Sequence, residues 1–220
     1  MPRNDKSILV LISGNGTNLQ ALIDNCKSGK IPGKITHVIS SSAKAYGLER
    51  ASKANIPTTV HRLYTYYKGI SKEDKENRIK ARAKFDRDLA TLILDKLGKP
   101  DLIVCAGWML ILSSEFLKPM EAANVPIINL HPALPGAFEG THAIERSWDA
   151  GQKGLVNKGG CMIHYVIEQV DRGQPLIVKE IPVIKGETVE DFEARIHAQE
   201  HVAIVEGTIK VLKGLDASRN

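Results

Sequence analysis

Three residue types that together can act on a carbonyl lie in the second half of the chain. Asn129 and His131 sit two residues apart in IINLHPALPG, and Asp171 closes the largely apolar run MIHYVIEQV. On an extended segment, alternate residues point to the same side, so the amide and the imidazole share a face. An Asn N–H can donate to a developing oxyanion. A His can exchange a proton with it, and a carboxylate can orient or charge the His. The same stretch also reads as a strand that reaches the surface and turns, because Asn and Pro are good turn residues. No Ser or Cys nucleophile elbow accompanies the cluster, so covalent catalysis has little support. A zinc site built from His131, His142 and His164 would have no standard ligand spacing.

A second candidate lies near the start. SGNGTN, residues 13–18, follows the apolar run SILVLI and precedes the helical pattern NLQALIDNCKSG. Gly14 and Gly16, with Asn15 between them, let backbone N–H groups converge on an anion. Thr17 and Asn18 add side-chain donors at a helix N-terminus, whose field favours a phosphate. No Lys precedes the Thr, so this is not a Walker A loop. Leu19 occupies the third glycine position of the dinucleotide fingerprint. The loop therefore suits a monophosphate better than ATP or a dinucleotide, and a tight turn without a ligand remains the plain alternative.

These residues need a scaffold. SILVLI (7–12), THVISS (36–41), IPTTV (56–60), DLIVCAG (101–107) and IINL (127–130) read as strands separated by helical segments. That alternation predicts parallel βα units. Residues 71–97 read as one long helix, ended by Gly98 and Pro100. Ser113 or Ser114 is a cap for the helix containing Glu115, and residues 141–150 form a further helix. From 162 the pattern changes to two runs, 162–170 and 176–184, joined by a DRGQ turn, which predicts an antiparallel pair. A last helix spans 187–213, with Thr188 as its cap. The expected fold is α/β: an open, mostly parallel twisted sheet with helices on both faces, a Rossmann-like N-terminal half and an antiparallel edge near the C-terminus. Its strand ends are where open α/β sheets place ligands.

The chain has 220 residues, of which 43% are hydrophobic and 25% charged. This fits one domain, 1–220, with 1–100 mainly a nucleotide and phosphate half and 101–220 mainly a catalytic half. Cys26, Cys105 and Cys161 form neither a metal spacing nor an even disulfide framework, which points to a reducing, cytoplasmic compartment. The polar start lacks the apolar core of a secretory signal, and no run has the length of a bilayer span. The net charge of +5 gathers in the stretch from His61 to Lys84. Acids interleave that stretch and no RNA-binding signature accompanies it, so a solvated helix is expected rather than nucleic-acid binding.

Taken together, LISGNGTNLQALID, DLIVCAGWMLIL, NLHPALPG, the VDRG turn and QEH near the end resemble the glycinamide ribonucleotide formyltransferase family, in order and over nearly the whole chain. The resemblance implies transfer of a formyl group from 10-formyltetrahydrofolate to the glycyl amine of glycinamide ribonucleotide, in de novo purine synthesis. The donor is already activated, so neither ATP nor a metal is implied. The family's catalytic residues fall on Asn129, His131 and Asp171. Its nucleotide site falls on Gly14, Asn15, Gly16, Thr17, Asn18 and Glu200. Its folate site falls on Arg82, on Trp108, Met109, Leu110, Ile111 and Leu112, on Asn129, and on Glu168, Gln169, Val170 and Asp171. Other purine-pathway enzymes are partners consistent with the resemblance, and no membrane or nucleic acid is implied.

Three departures from the family pattern stand out. Leu110 replaces an Arg found in many relatives. The 62–80 region is longer and more basic than in compact relatives. His142 and Ile144 stand where some relatives carry Asn and His. Two rival readings stay open at this point. One is a hydrolase that removes formyl from the same folate, a class that commonly carries a further domain in front. The other is a non-catalytic nucleotide- or RNA-binding protein. Relatives acting on initiator tRNA usually carry an added C-terminal domain, which these 220 residues do not contain.

Overall fold

The computed structural model describes residues 6–217. Seven strands form one sheet in the order β3-β2-β1-β4-β5-β6-β7. They are β1 (Lys6–Ile12), β2 (Gly33–Ser40), β3 (Thr58–Val60), β4 (Leu102–Cys105), β5 (Ile127–His131), β6 (Lys158–Tyr165) and β7 (Pro175–Pro182). The pairs among β1–β5 are parallel. β6 runs antiparallel to β5, and β7 antiparallel to β6. The expected parallel sheet with an antiparallel edge is the observed one.

The central strands are apolar at nearly every position because both faces are covered. Alternate residues of β1 split cleanly. Ile8, Val10 and Ile12 join a core with α1 (Thr17–Lys27) and α7 (Val189–Ala217), while Leu9 and Leu11 join a second core beneath α4 (Lys75–Thr91) and α5 (Ser114–Ala122). β4 does the same, with Leu102 and Val104 on one side and Ile103 and Cys105 on the other. Phe85, Phe116 and Phe192 are fully buried, and truncating any of them to Ala would cost about 3–5 kcal/mol. A smaller core of Ile144, Ile181, Phe192 and Ile196 fastens α6 (Ala143–Gln152) and α7 to the antiparallel edge.

Three local expectations are corrected. The helix predicted over 71–97 begins only at Lys75, where Asp74 caps it by accepting from the Asn77 amide at 3.1 Å, and its end, Leu92–Lys96, is a π-helical turn. A short helix, α3 (Leu63–Tyr67), and α2 (Gly47–Lys53) complete the set. The run 162–170 is a strand only to Tyr165; the remainder leaves the sheet as a loop. Ser113 does stand at the N-cap of α5, but its hydroxyl donates to buried Asp86 at 2.7 Å instead of capping the helix. Thr188 does cap α7, accepting from the Asp191 amide at 3.1 Å. Among the described residues, no helix is long and apolar enough to cross a membrane.

Candidate active site

β1 has β2 on one side and β4 on the other, so successive connections leave in opposite directions and open a crevice above their carboxyl ends. The loops after β1, β4 and β5 all meet there. Ser13 ties two of them together: its hydroxyl oxygen accepts from the Met109 amide at 2.9 Å and from the Ser41 hydroxyl at 2.7 Å. A cavity of about 430 Å3 follows. It runs from Asn18, His197 and Glu200, past Asn129, His131, His164 and Asp171, to Trp108–Leu112.

The middle of the cavity holds the Asn, His and Asp. Asn129 and His131 sit at the end of β5, two residues apart and on the same face. Asp171 arrives from the loop between β6 and β7 and adopts a left-handed backbone (φ 56°). Asp tolerates this conformation better than most residues. The Gly140 amide donates to its Oδ2 at 3.0 Å and fastens it to the loop after β5. His131 Nδ1 lies 3.4 Å from Asp171 Oδ2. His131 Nε2 is buried without a partner among the described residues and belongs to a ring that lines the cavity.

His164 completes this cluster, and its catalytic surroundings were not foreseen from the sequence. It stands opposite Asn129 in the β5–β6 register. Its Nδ1 lies 2.9 Å from the Tyr165 carbonyl, which can only accept, so Nδ1 carries a proton. In the neutral ring Nε2 then accepts from Asn129 Nδ2 at 3.3 Å. In the charged ring Nε2 would face Asp171 Oδ1 at 3.5 Å as a second donor. The only sequence signal was a His on an apolar strand, a pattern that does not distinguish a site residue from a core one.

Electrostatics separate the partners. Burial is the largest single influence on Asp171 and pushes its pKa up. The hydrogen bond from His164, the Gly140 amide and the two imidazoles outweigh it, so the carboxyl titrates below its ordinary range. Burial holds the His131 imidazole below its usual value; Asp171 pulls it upward, while His164 and Arg146 push it further down. Asp171 thus raises the His131 pKa, as an adjacent carboxylate should, but burial outweighs it. At neutral pH the resting pair is an ionised Asp171 and a neutral His131.

At one end, α1 starts at the glycine loop. Gly16 has φ +76°, and a Cβ there would lie 2.7 Å from the Gly47 Cα, so the loop packs against α2 as only glycine allows. Arg50 holds Asn15 from the same side, donating to its carbonyl at 2.9 Å and to its side-chain oxygen at 2.9 Å. Gly14, Gly16 and Thr17 form the loop rim and the first turn of α1, whereas Asn18 lines the cavity itself. Asn18 Nδ2 donates to Glu200 Oε2 at 3.3 Å, and its Oδ1 is buried without a partner among the described residues. Glu200 comes from α7 and is 4% exposed; burial raises its pKa against the opposing influence of His197 and Asn18. His197, one helical turn before it, lines the same end and was not singled out in the sequence.

At the other end Trp108 and Leu112 are buried, while Met109 and Ile111 present apolar side chains outward. Leu110, Val166, Ile167 and Val170 add to this apolar wall. Trp108 Nε1 is buried with no partner among the described residues. Arg82 stands behind the wall, pairing with buried Asp86 at 3.1 Å and donating to the Ile111 carbonyl. Glu168 and Gln169 do not line this cavity; they face a neighbouring groove beside α5. Among the described residues, no three His, Cys, Asp or Glu side chains are placed to hold a metal ion.

Comparison with known proteins places this geometry. The profile of the formyl transferase family matches residues 6–208. A phosphoribosylglycinamide formyltransferase of Saccharomyces cerevisiae is 58% identical over 215 residues, covering 94% of this chain and 98% of that protein. Its counterpart in Schizosaccharomyces pombe is 49% identical over 208 residues, covering 94% and 97%. The crystal structure of glycinamide ribonucleotide transformylase 1 from Symbiobacterium toebii superposes with a TM-score of 0.79 at 35% identity, covering 96% of this chain and 90% of that one. With a profile match over nearly its full length and relatives this similar, the chain belongs to the formyl transferase family.

Proposed function

We infer that this chain transfers the formyl group of 10-formyltetrahydrofolate to the glycyl amine of glycinamide ribonucleotide, a step of purine biosynthesis. One observation carries the reading: Asn129, His131 and Asp171 lie in a single cavity between an apolar wall and a polar end. The apolar wall of Trp108–Leu112 and Val170 suits a flat pterin. The polar end, with Asn18, Glu200 and the glycine loop beside it, suits the ribonucleotide, its phosphate at the α1 N-terminus and its glycinamide near Glu200. Arg82 stands where the carboxylated end of the folate would emerge.

The chemistry follows from the resting protonation states. The neutral amine attacks the formyl carbon, forming the new C–N bond while the carbonyl π electrons move to oxygen. Asn129 has two N–H bonds and uses one on His164, which leaves the other for that oxyanion. The neutral His131 Nε2 accepts the proton shed by the attacking amine. The resulting imidazolium lies beside the oxyanion, stabilised by Asp171 at its other nitrogen. His131 then returns the proton to folate N10, the C–N10 bond breaks, and the carbonyl reforms. The products are formylglycinamide ribonucleotide and tetrahydrofolate.

The test is a transfer assay with purified protein and both substrates, following tetrahydrofolate and formylated nucleotide together. Equal formation of the two, dependent on nucleotide, is expected. Release of formate from the donor at the same rate without nucleotide would instead make the protein a hydrolase.

A further inference from the structure

The loop between β5 and α6 holds a conformation that its own main chain does little to secure. From Gly136 to His142, four residues have left-handed backbones: Gly136 (φ 72°), Phe138 (φ 50°), Gly140 (φ 82°) and His142 (φ 56°). Glycine adopts this conformation freely, whereas Phe and His do so at a cost that their surroundings must offset. Among the described residues, the main chain of 132–142 makes two backbone hydrogen bonds. The Ala137 amide donates to the Leu134 carbonyl at 3.0 Å, and the Arg146 amide donates to the His142 carbonyl at 3.1 Å.

The Arg146 side chain supplies the rest. It closes the first turn of α6, where the helix dipole disfavours a cation, and its hydrogen bonds go to main-chain carbonyls of the loop. Nη2 donates to the Phe138 carbonyl at 2.8 Å and to the Glu139 carbonyl at 2.7 Å, and Nε donates to the His142 carbonyl at 3.4 Å. The Glu139 contact matters most. The C=O and N–H of one trans peptide point in opposite directions. The peptide joining Glu139 to Gly140 therefore has its oxygen on Arg146 and its N–H on Asp171 Oδ2, at 3.0 Å. That same Oδ2 faces His131 Nδ1 at 3.4 Å. A cation on the oxygen also polarises the peptide and strengthens the bond that its N–H donates.

We propose that Arg146 is a positioning residue for the reaction: by gripping the Glu139–Gly140 peptide it fixes the Asp171 oxygen that faces His131. This rests on the proposed function, in which Asp171 stabilises the imidazolium formed during transfer. The Arg172–Glu139 ion pair at 3.0 Å joins the same two loops, but it is exposed, and such pairs contribute little. The role therefore falls to Arg146, whose guanidinium spans three carbonyls at once.

The experiment measures single-turnover formyl transfer and the His131 titration by NMR in the whole protein. Arg146→Ala should slow transfer by about tenfold, the loss of one charge-assisted hydrogen bond. Arg172→Ala should change it by less than about threefold. In the Asp171→Asn background, Arg146→Ala should cost less than about threefold more, because no carboxylate remains to be held. The titration separates positioning from mere proximity. Asp171 pulls the His131 pKa up, while His164 and Arg146 push it down. If Arg146 acted only as a nearby charge, its removal would raise the His131 pKa. If it holds Asp171, its removal loosens the stronger upward pull, and the pKa should fall. A rise or no movement would overturn the proposal. So would an undiminished rate, an Arg172→Ala variant as slow as Arg146→Ala, or the same tenfold cost in the Asp171→Asn background. A fall in the pKa without any formyl transfer by the unaltered protein rejects the reaction alone, and transfer with a rise rejects the positioning alone.

Discussion

Replacing Asp171 by Asn removes one charge from the centre of the cavity and keeps nearly every atom in place. The amide oxygen can still accept from the Gly140 N–H, so the loop keeps its tie. What is lost is the attraction between a carboxylate and the imidazolium that forms when His131 takes a proton. At 3.4 Å and an effective dielectric constant of about 20, that attraction is ~5 kcal/mol. An adjacent opposite charge ordinarily moves a pKa by about 1–3 units, or roughly 1.4–4 kcal/mol, which is the safer range. Because the imidazolium exists only after the amine has attacked, the loss falls on the chemical step. Single-turnover formyl transfer should slow by about 10- to 10^3-fold, with both ligands still binding. The sign of the titration is also fixed. Asp171 is the main influence raising the His131 pKa, so its removal should push the imidazole still lower, as followed by NMR of the ring protons. A folded variant with a rate within about threefold of the original, or with an unmoved His131 titration, would refute the reasoning.

Other outcomes follow from the same geometry. Glu200→Gln should stabilise the ligand-free protein at pH 7, because burial penalises the carboxylate and the amide oxygen still accepts from Asn18; a gain of 1 kcal/mol would appear as a Tm rise of about 2–4 °C by calorimetry. The same change should weaken nucleotide affinity, and a fall in Tm with affinity intact would contradict the placement. Gly16→Val should destabilise by about 2–4 kcal/mol, since it combines a left-handed backbone with a collision against Gly47, and the surviving fold should lose nucleotide before folate. His61 and His131 both titrate below the ordinary value when folded. The unfolded chain therefore takes up protons first as pH falls below about 6.5, and this part of the stability is full above that pH and lost beneath it. Thermal scans of the Glu200→Gln protein, which lacks the opposing carboxyl, should show Tm dropping between pH 7 and pH 5.

The parallel part of the fold was legible because its signals are strong and local. β1 and β4 are apolar on both faces, and each is bounded by glycine or a polar turn. β6 was read four residues too late because KGGC has little strand propensity. The strand exists there for a tertiary reason. A Cβ on Gly159 would lie 2.6 Å from the Ser147 hydroxyl, and one on Gly160 would lie 2.0 Å from the Lys179 carbonyl. The two glycines admit α6, α7 and β7 to close approach, which no window of propensities along the chain could report. The short α3 has a similar origin: Tyr66 packs edge-on against Phe85 with ring centres 5.4 Å apart and donates to Asp88 at 2.9 Å.

The site was legible where one strand carried it and less so where several elements meet. Asn129 and His131 announce themselves by spacing on a single strand, but nothing in the spacing fixes the charge on His131. That charge is a sum over burial, Asp171 from one loop, His164 from the neighbouring strand and Arg146 from α6. The sequence supplies the residues and leaves their burial unknown, so the upward pull of a nearby acid was legible and the larger downward push of burial was not. The consequence reaches the mechanism. A His131 charged at rest could only hold an oxyanion already formed. A neutral one can take the proton of the attacking amine and acquire its charge as the oxyanion appears, so that the stabilisation grows with the reaction it assists.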